Sequence, residues 1–71
     1  MVTAKFKVTH VTRFEGDSVE VNLQPVMSDD SNKDWSGYTP AGEIKMRITN
    51  PAASDQFAPG KKFLLTFEES N

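Results

Sequence analysis

The chain has one histidine, no cysteine and ten carboxylates in 71 residues, and these numbers bound its chemistry. His10 would need acids or further imidazoles gathered around it to move protons or hold a transition metal. Its alternating surroundings place it inward, opposite Leu23, where a lone histidine usually needs only one hydrogen bond. Asp30, Asn32 and Asp34 fall at the first, third and fifth positions of a calcium-loop pattern. The match stops there, because Trp35 stands where the sharp turn needs Gly and Ala41 where a bidentate Glu belongs. No Ser is framed by glycines, and no phosphate-cradling or dinucleotide glycine pattern occurs. The adjacent pairs Asp29-Asp30 and Glu68-Glu69 lie in loop or tail, without the burial that raises an acid's pKa, and read as solubilising charge. These residues predict no enzyme activity, no metal site and no cofactor.

Two other groups of residues point to partners. Trp35 and Tyr38, the only Trp and Tyr, sit in the polar stretch "SDDSNKDWSGYTPAG". Either they pin this loop, with Trp35 closing one end of the fold and the Tyr38 hydroxyl left wet, or they face a binding partner. The second group is basic. Net charge is only −2, too balanced to imply a polyanion by itself. Lys5, Lys7, Arg13, Lys45 and Arg47 nevertheless all fall on predicted outward strand positions. A basic strand face near exposed aromatic rings is the minimal arrangement for single-stranded nucleic acid. Polar outward positions occur on any soluble sheet, however, and Glu20 and Glu43 interrupt this one.

These side chains are positioned by strands. Residues 5–14 and 18–24 alternate with the two-residue period of half-buried strands. Between them, Glu15-Gly16-Asp17-Ser18 suits a type II′ hairpin turn with Gly16 and Asp17 at its centre. That turn sets Phe14 against Val19, Thr12 against Val21, His10 against Leu23 and Val8 against Pro25. Phe6, Val8 and Phe14 then share a face with Val19, Val21 and Leu23, while Arg13 opposes Glu20 on the other. Pro25 falls where its missing N–H points away from the first strand, so any strand on its far side must end before it. "EIKMRIT" turns Ile44, Met46 and Ile48 inward, and "KFLLTFE" turns Phe63, Leu65 and Phe67 inward. Asn50 and Pro51 read as the N-cap and first position of a short helical turn near residues 51–57, with Phe57 folded back onto the core.

Four to five strands and one helical turn predict a mostly all-β single domain over residues 1–71. Its expected form is a small, strongly twisted antiparallel sheet curling into a partly open barrel. A core of this size supplies roughly 3–5 kcal/mol of net stability, so association would contribute materially. The unpaired sheet edge is the expected place for docking or weak self-association. No apolar run approaches the ~20 residues needed to cross a bilayer, and the N-terminus lacks the pattern of a secretory signal. A soluble chain with no membrane partner is expected.

Taken in order, "KFKVTHVTR", "VEVNLQPVMSD", "YTPAGEIKMRITNPAA" and "PGKKFLLTFEE" resemble a group of short uncharacterised proteins encoded by tailed bacteriophages and prophages. The resemblance runs nearly end to end, and "TPAGEI" and "NPAASDQFAPGK" are its most specific pieces. It carries over no catalytic or binding residue. It implies a setting, the cytoplasm of an infected bacterial host or a virion, and an accessory role. The expected function is a non-enzymatic interaction module that binds a host or phage protein through an edge strand or the Trp35 loop. The alternative is a small barrel that binds single-stranded nucleic acid.

Overall fold

In the computed structural model, which describes residues 2–27, 32, 35 and 41–70, the longest element is strand β1, Val2–Arg13. It is followed by β2 (Val19–Pro25), β3 (Ile44–Ile48), a single helical turn α1 (Pro51–Ser54) and β4 (Lys62–Phe67). The four strands form one antiparallel sheet in the order β3-β2-β1-β4, curled into a half-barrel. The expected mostly all-β, partly open fold is therefore present, with four strands. No helix among the described residues is long and apolar enough to cross a membrane.

The inner face of the sheet holds the core: Ala4, Phe6 and Val8 from β1, Val19, Val21 and Leu23 from β2, and Ile48 from β3. Val8 and Val21 are fully enclosed, each burial being worth about 1.5–3 kcal/mol. Val11, Ile44, Ala53, Phe57, Phe63 and Leu65 pack against this cluster with part of their surface in water.

The β1–β2 register differs from the one expected from alternation. The Phe14 N–H donates to the Ser18 carbonyl at 3.0 Å, which makes Glu15-Gly16-Asp17 a three-residue loop rather than a two-residue turn. Gly16 has φ +84°, the left-handed conformation that the turn demands of it. Arg13 consequently faces Val19, and Val11 faces Val21. A bulge between Val8 and His10 then shifts the register again, setting Val8 against Leu23 and Phe6 against Pro25. The physical reason lies in Val8 and Val11. Three positions apart, they cannot share one face of a regular strand, and the extra residue at Thr9 allows both to point inward.

Three expectations fall with that register. His10 points outward and is exposed, its Nδ1 3.1 Å from the Thr9 hydroxyl. Phe14 also lies on the outer side, 40% exposed, with the Arg47 guanidinium 4.3 Å from its ring centre. The Arg13–Glu20 pair does not form, because Glu20 lies opposite Thr12 and Arg47, and its carboxylate is 3.8 Å from the Arg47 guanidinium.

Other local signals hold. Asn50 caps α1 by accepting from the Ala52 N–H at 3.1 Å, and Pro51 occupies the first turn. Phe57 folds back against Phe63, ring centres 5.0 Å apart. β3 begins at Ile44 opposite Leu23, so among the described residues no strand reaches the side of Pro25 that lacks an N–H.

Candidate functional site

Beyond Pro25 one backbone bond to β1 remains, the Val26 N–H donating to the Lys5 carbonyl at 3.0 Å, and one side chain completes the ladder there. Asn32, 2% exposed, accepts from the Lys5 N–H through Oδ1 at 2.7 Å. Its Nδ2 donates to the carbonyls of Lys5 at 3.0 Å and Val26 at 2.8 Å. The same Oδ1 accepts from the Trp35 indole N–H at 2.9 Å. An amide can satisfy all of these at once because it offers an acceptor and two donors in one plane. Trp35 is thereby oriented so that its ring lies on Phe6, centres 6.1 Å apart and planes 9° from parallel. Trp35 keeps a minor part of its surface open.

Around that ring the inner face is apolar and accessible. Val2, Ala4, Phe6, Trp35 and Phe67 line an entirely apolar depression of about 170 Å³. Val2 and Phe67 face each other across β1 and β4, and Phe67 is 54% exposed. Leu23 of β2, Ile44 and Met46 of β3, Phe57, and Phe63, Leu64 and Leu65 of β4 border a second, largely apolar cleft of about 290 Å³. The first lies on the face that carries the core and the second reaches from that face to Leu64, so apolar surface continues from the buried side chains outward.

The outer face has opposite chemistry. Lys45, Asn22 and His10 form one cross-strand row, Arg47, Glu20 and Thr12 another, and Gln24, Lys7 and Lys62 a third. Lys5 lies beside Leu64 on the same face. Lys5, Lys7, Lys45, Arg47 and Lys62 thus share a surface whose only carboxylate at a described strand position is Glu20. Glu20 sits against Arg47, its carboxylate 3.8 Å from the guanidinium.

The structure separates the residues that the sequence grouped. Lys5, Lys7, Lys45 and Arg47 lie together on the outer face, whereas Arg13 shares the opposite face with Val19 and borders a hollow near Pro51, Ser54 and Asp55. Trp35 packs on the inner side, away from the lysines. Tyr38, and Asp30 and Asp34 of the calcium-loop pattern, lie outside the described residues. Among those described, no group of His, Asp and Glu gathers to hold a metal ion. Sequence reasoning missed Asn32 as the organiser of Trp35, and it missed Val2 as part of the apolar surface. Comparison of the chain with protein-family models, with curated proteins and with solved structures finds no match.

Proposed function

We propose that this chain is a non-catalytic protein-interaction module, an accessory protein of the phage type, acting in an infected bacterial cell or in a virion. It engages a host or phage protein through the inner face of its sheet. The carrying observation is the apolar depression formed by Val2, Ala4, Phe6, Trp35 and Phe67, where large apolar side chains stay open to solvent although the core begins directly beneath them. Contiguous apolar surface of this kind on a small domain marks an interaction site. Trp35 is suited to the role, since a ring fixed by Phe6 and Asn32 loses little side-chain freedom on binding. The phage setting rests on the resemblance of the sequence. The test is site-specific photo-crosslinking in bacterial cells from Phe67, with Thr12 on the outer face as comparison. A product with a second kind of protein from Phe67 alone, weakened by Val2→Ser, is expected; products from Thr12 alone, or from neither, overturn the reading.

The outer face supports a second reading, binding of single-stranded nucleic acid. Lys5, Lys7, Lys45, Arg47 and Lys62 would track phosphates there. It ranks second because Trp35, the ring expected to stack on bases, packs on the other side of the sheet. Retention on a single-stranded oligonucleotide, falling steeply with salt and lost in Lys7→Glu, would favour it.

A further inference from the structure

β4 borders the sheet, since among the described residues the order β3-β2-β1-β4 leaves its far side without a neighbouring strand. Edge strands are usually protected by charge, proline, a bulge or short length. β3, at the opposite border, obeys this: it has five residues and carries Lys45 and Arg47 on its outer face. β4 does not. It pairs with β1 without a register shift, and Leu64 and Phe67, on opposite faces, are 64% and 54% exposed.

The direction of its backbone groups follows from the β1–β4 ladder. The Val8 N–H donates to the Lys61 carbonyl at 2.9 Å, and bonding direction alternates residue by residue in an antiparallel pair. Phe63, Leu65 and Phe67 therefore aim their N–H and C=O groups at β1, while Lys62, Leu64 and Thr66 aim theirs outward. An added antiparallel strand must set its own bonding residues opposite these three.

Within that restriction, "KKFLLTFEE" selects one register against a second copy of itself. With a two-fold axis at Leu65, Leu64 faces Thr66 of the second copy, Phe63 faces Phe67, Lys62 faces Glu68 and Lys61 faces Glu69. Each match occurs twice. Moving the axis to Leu64 keeps the ladder but sets Lys61 against Phe67 and Lys62 against Thr66. Moving it to Thr66 sets Leu64 against Glu68 and Phe63 against Glu69. Only the Leu65 axis joins opposite charges and keeps aromatic rings together. It also places Glu68 of the second copy beside Lys62, which in the single sheet lies opposite Lys7, a like charge. The Lys61 ammonium, now donating to the Gln56 carbonyl at 3.2 Å, lies on the exposed surface and can turn to Glu69 of the second copy.

We propose that the protein forms a two-fold symmetric dimer by antiparallel pairing of β4 with β4 about Leu65, joining two four-stranded sheets into one. This contact uses the strand edge and shares Phe67 with the partner surface proposed above, while the charge pairs at Lys61, Lys62, Glu68 and Glu69 lie outside that surface and test the dimer separately. Sedimentation at low salt is expected to show association with rising concentration that weakens as salt is added. Lys61→Glu/Lys62→Glu and Glu68→Lys/Glu69→Lys should each be monomeric and folded, and an equimolar mixture should dimerise again, as should the chain carrying all four changes. The register has its own readout, since the chain has no native cysteine. Leu65→Cys is expected to oxidise to a disulfide-linked dimer, because facing residues at a non-hydrogen-bonded site are close enough for a disulfide. A parent chain that stays monomeric at millimolar concentration overturns the dimer. A charge-reversed variant that associates like the parent, a mixture that does not associate, or crosslinking at Leu64→Cys instead of Leu65→Cys overturns the register.

Discussion

Asn32 meets Lys5 as a neighbouring strand would, accepting from its N–H at 2.7 Å and donating to its carbonyl at 3.0 Å. A side chain thus does the work of a peptide unit at the point where β2 leaves β1. Asn32→Ala would leave the Lys5 N–H, the Val26 carbonyl and the Trp35 indole N–H without this partner. A loss of at least about 2 kcal/mol is expected in urea unfolding, with the indole emission moving to longer wavelength. An unchanged midpoint would mean that water replaces the amide at little cost.

Trp35 offers a separation of packing from hydrogen bonding. Trp35→Phe keeps an aromatic ring over Phe6 and removes the donor to Asn32 with part of the ring area, so a cost of about 1–2 kcal/mol is expected. Trp35→Ala also empties the space above Phe6 and is expected to cost about 3 kcal/mol, a large share of the stability of so small a domain. In the parent, indole fluorescence should be blue-shifted and poorly quenched by acrylamide. Equal losses in both variants would assign the effect to the hydrogen bond.

Thr9 is the residue by which β1 exceeds β2 at the bulge. Deleting it leaves every cross-strand pair intact, from Phe6 with Pro25 to Arg13 with Val19, and removes the hydrogen bond from the Thr9 hydroxyl to the Asn22 carbonyl and the exposed contact of that hydroxyl with His10 Nδ1. The deletion is expected to fold with a loss of about 1 kcal/mol. Deleting Asn22 widens the mismatch instead and should abolish cooperative thermal unfolding. Equal behaviour of the two deletions would mean that the bulge is not fixed at Thr9.

What could be read from the sequence was mainly local. Asn50 and Pro51 announce α1 by themselves, and the inward parity of Ile44, Met46 and Ile48 needs no partner to be seen. Pro25 also announces a limit, because a missing N–H restricts its neighbours wherever it lies. The bulge escaped because Thr9 is chemically ordinary. Its signal was the pair Val8 and Val11, apolar at a spacing that strict alternation forbids, and Phe14 supplied a competing apolar residue that favoured the wrong phase. Asn32 escaped for another reason. Its value depends on where Lys5, Val26 and Trp35 meet, and its neighbours in sequence resemble a calcium loop more than a strand substitute. The pairing of Lys62 with Glu68 stands in the sequence as a palindrome of charge, but it acquires meaning only once β4 is found at the border of the sheet.

The placement of β4 beside β1 also governs the order of assembly. β1 and β2 are joined by a three-residue loop, whereas the partners Val2 and Phe67 come from opposite ends of the described chain. Closing the short loop costs little chain entropy, and closing the long one must wait until other contacts offset it. The β1–β2 hairpin is therefore the natural nucleus, and β4 the last strand to dock. Until it does, Ala4, Phe6 and Val8 stand in β1 beside an open ladder that fits one sequence well, and any copy of that sequence can fill it. At high concentration, exchange of β4 between chains is expected to compete with this last closure.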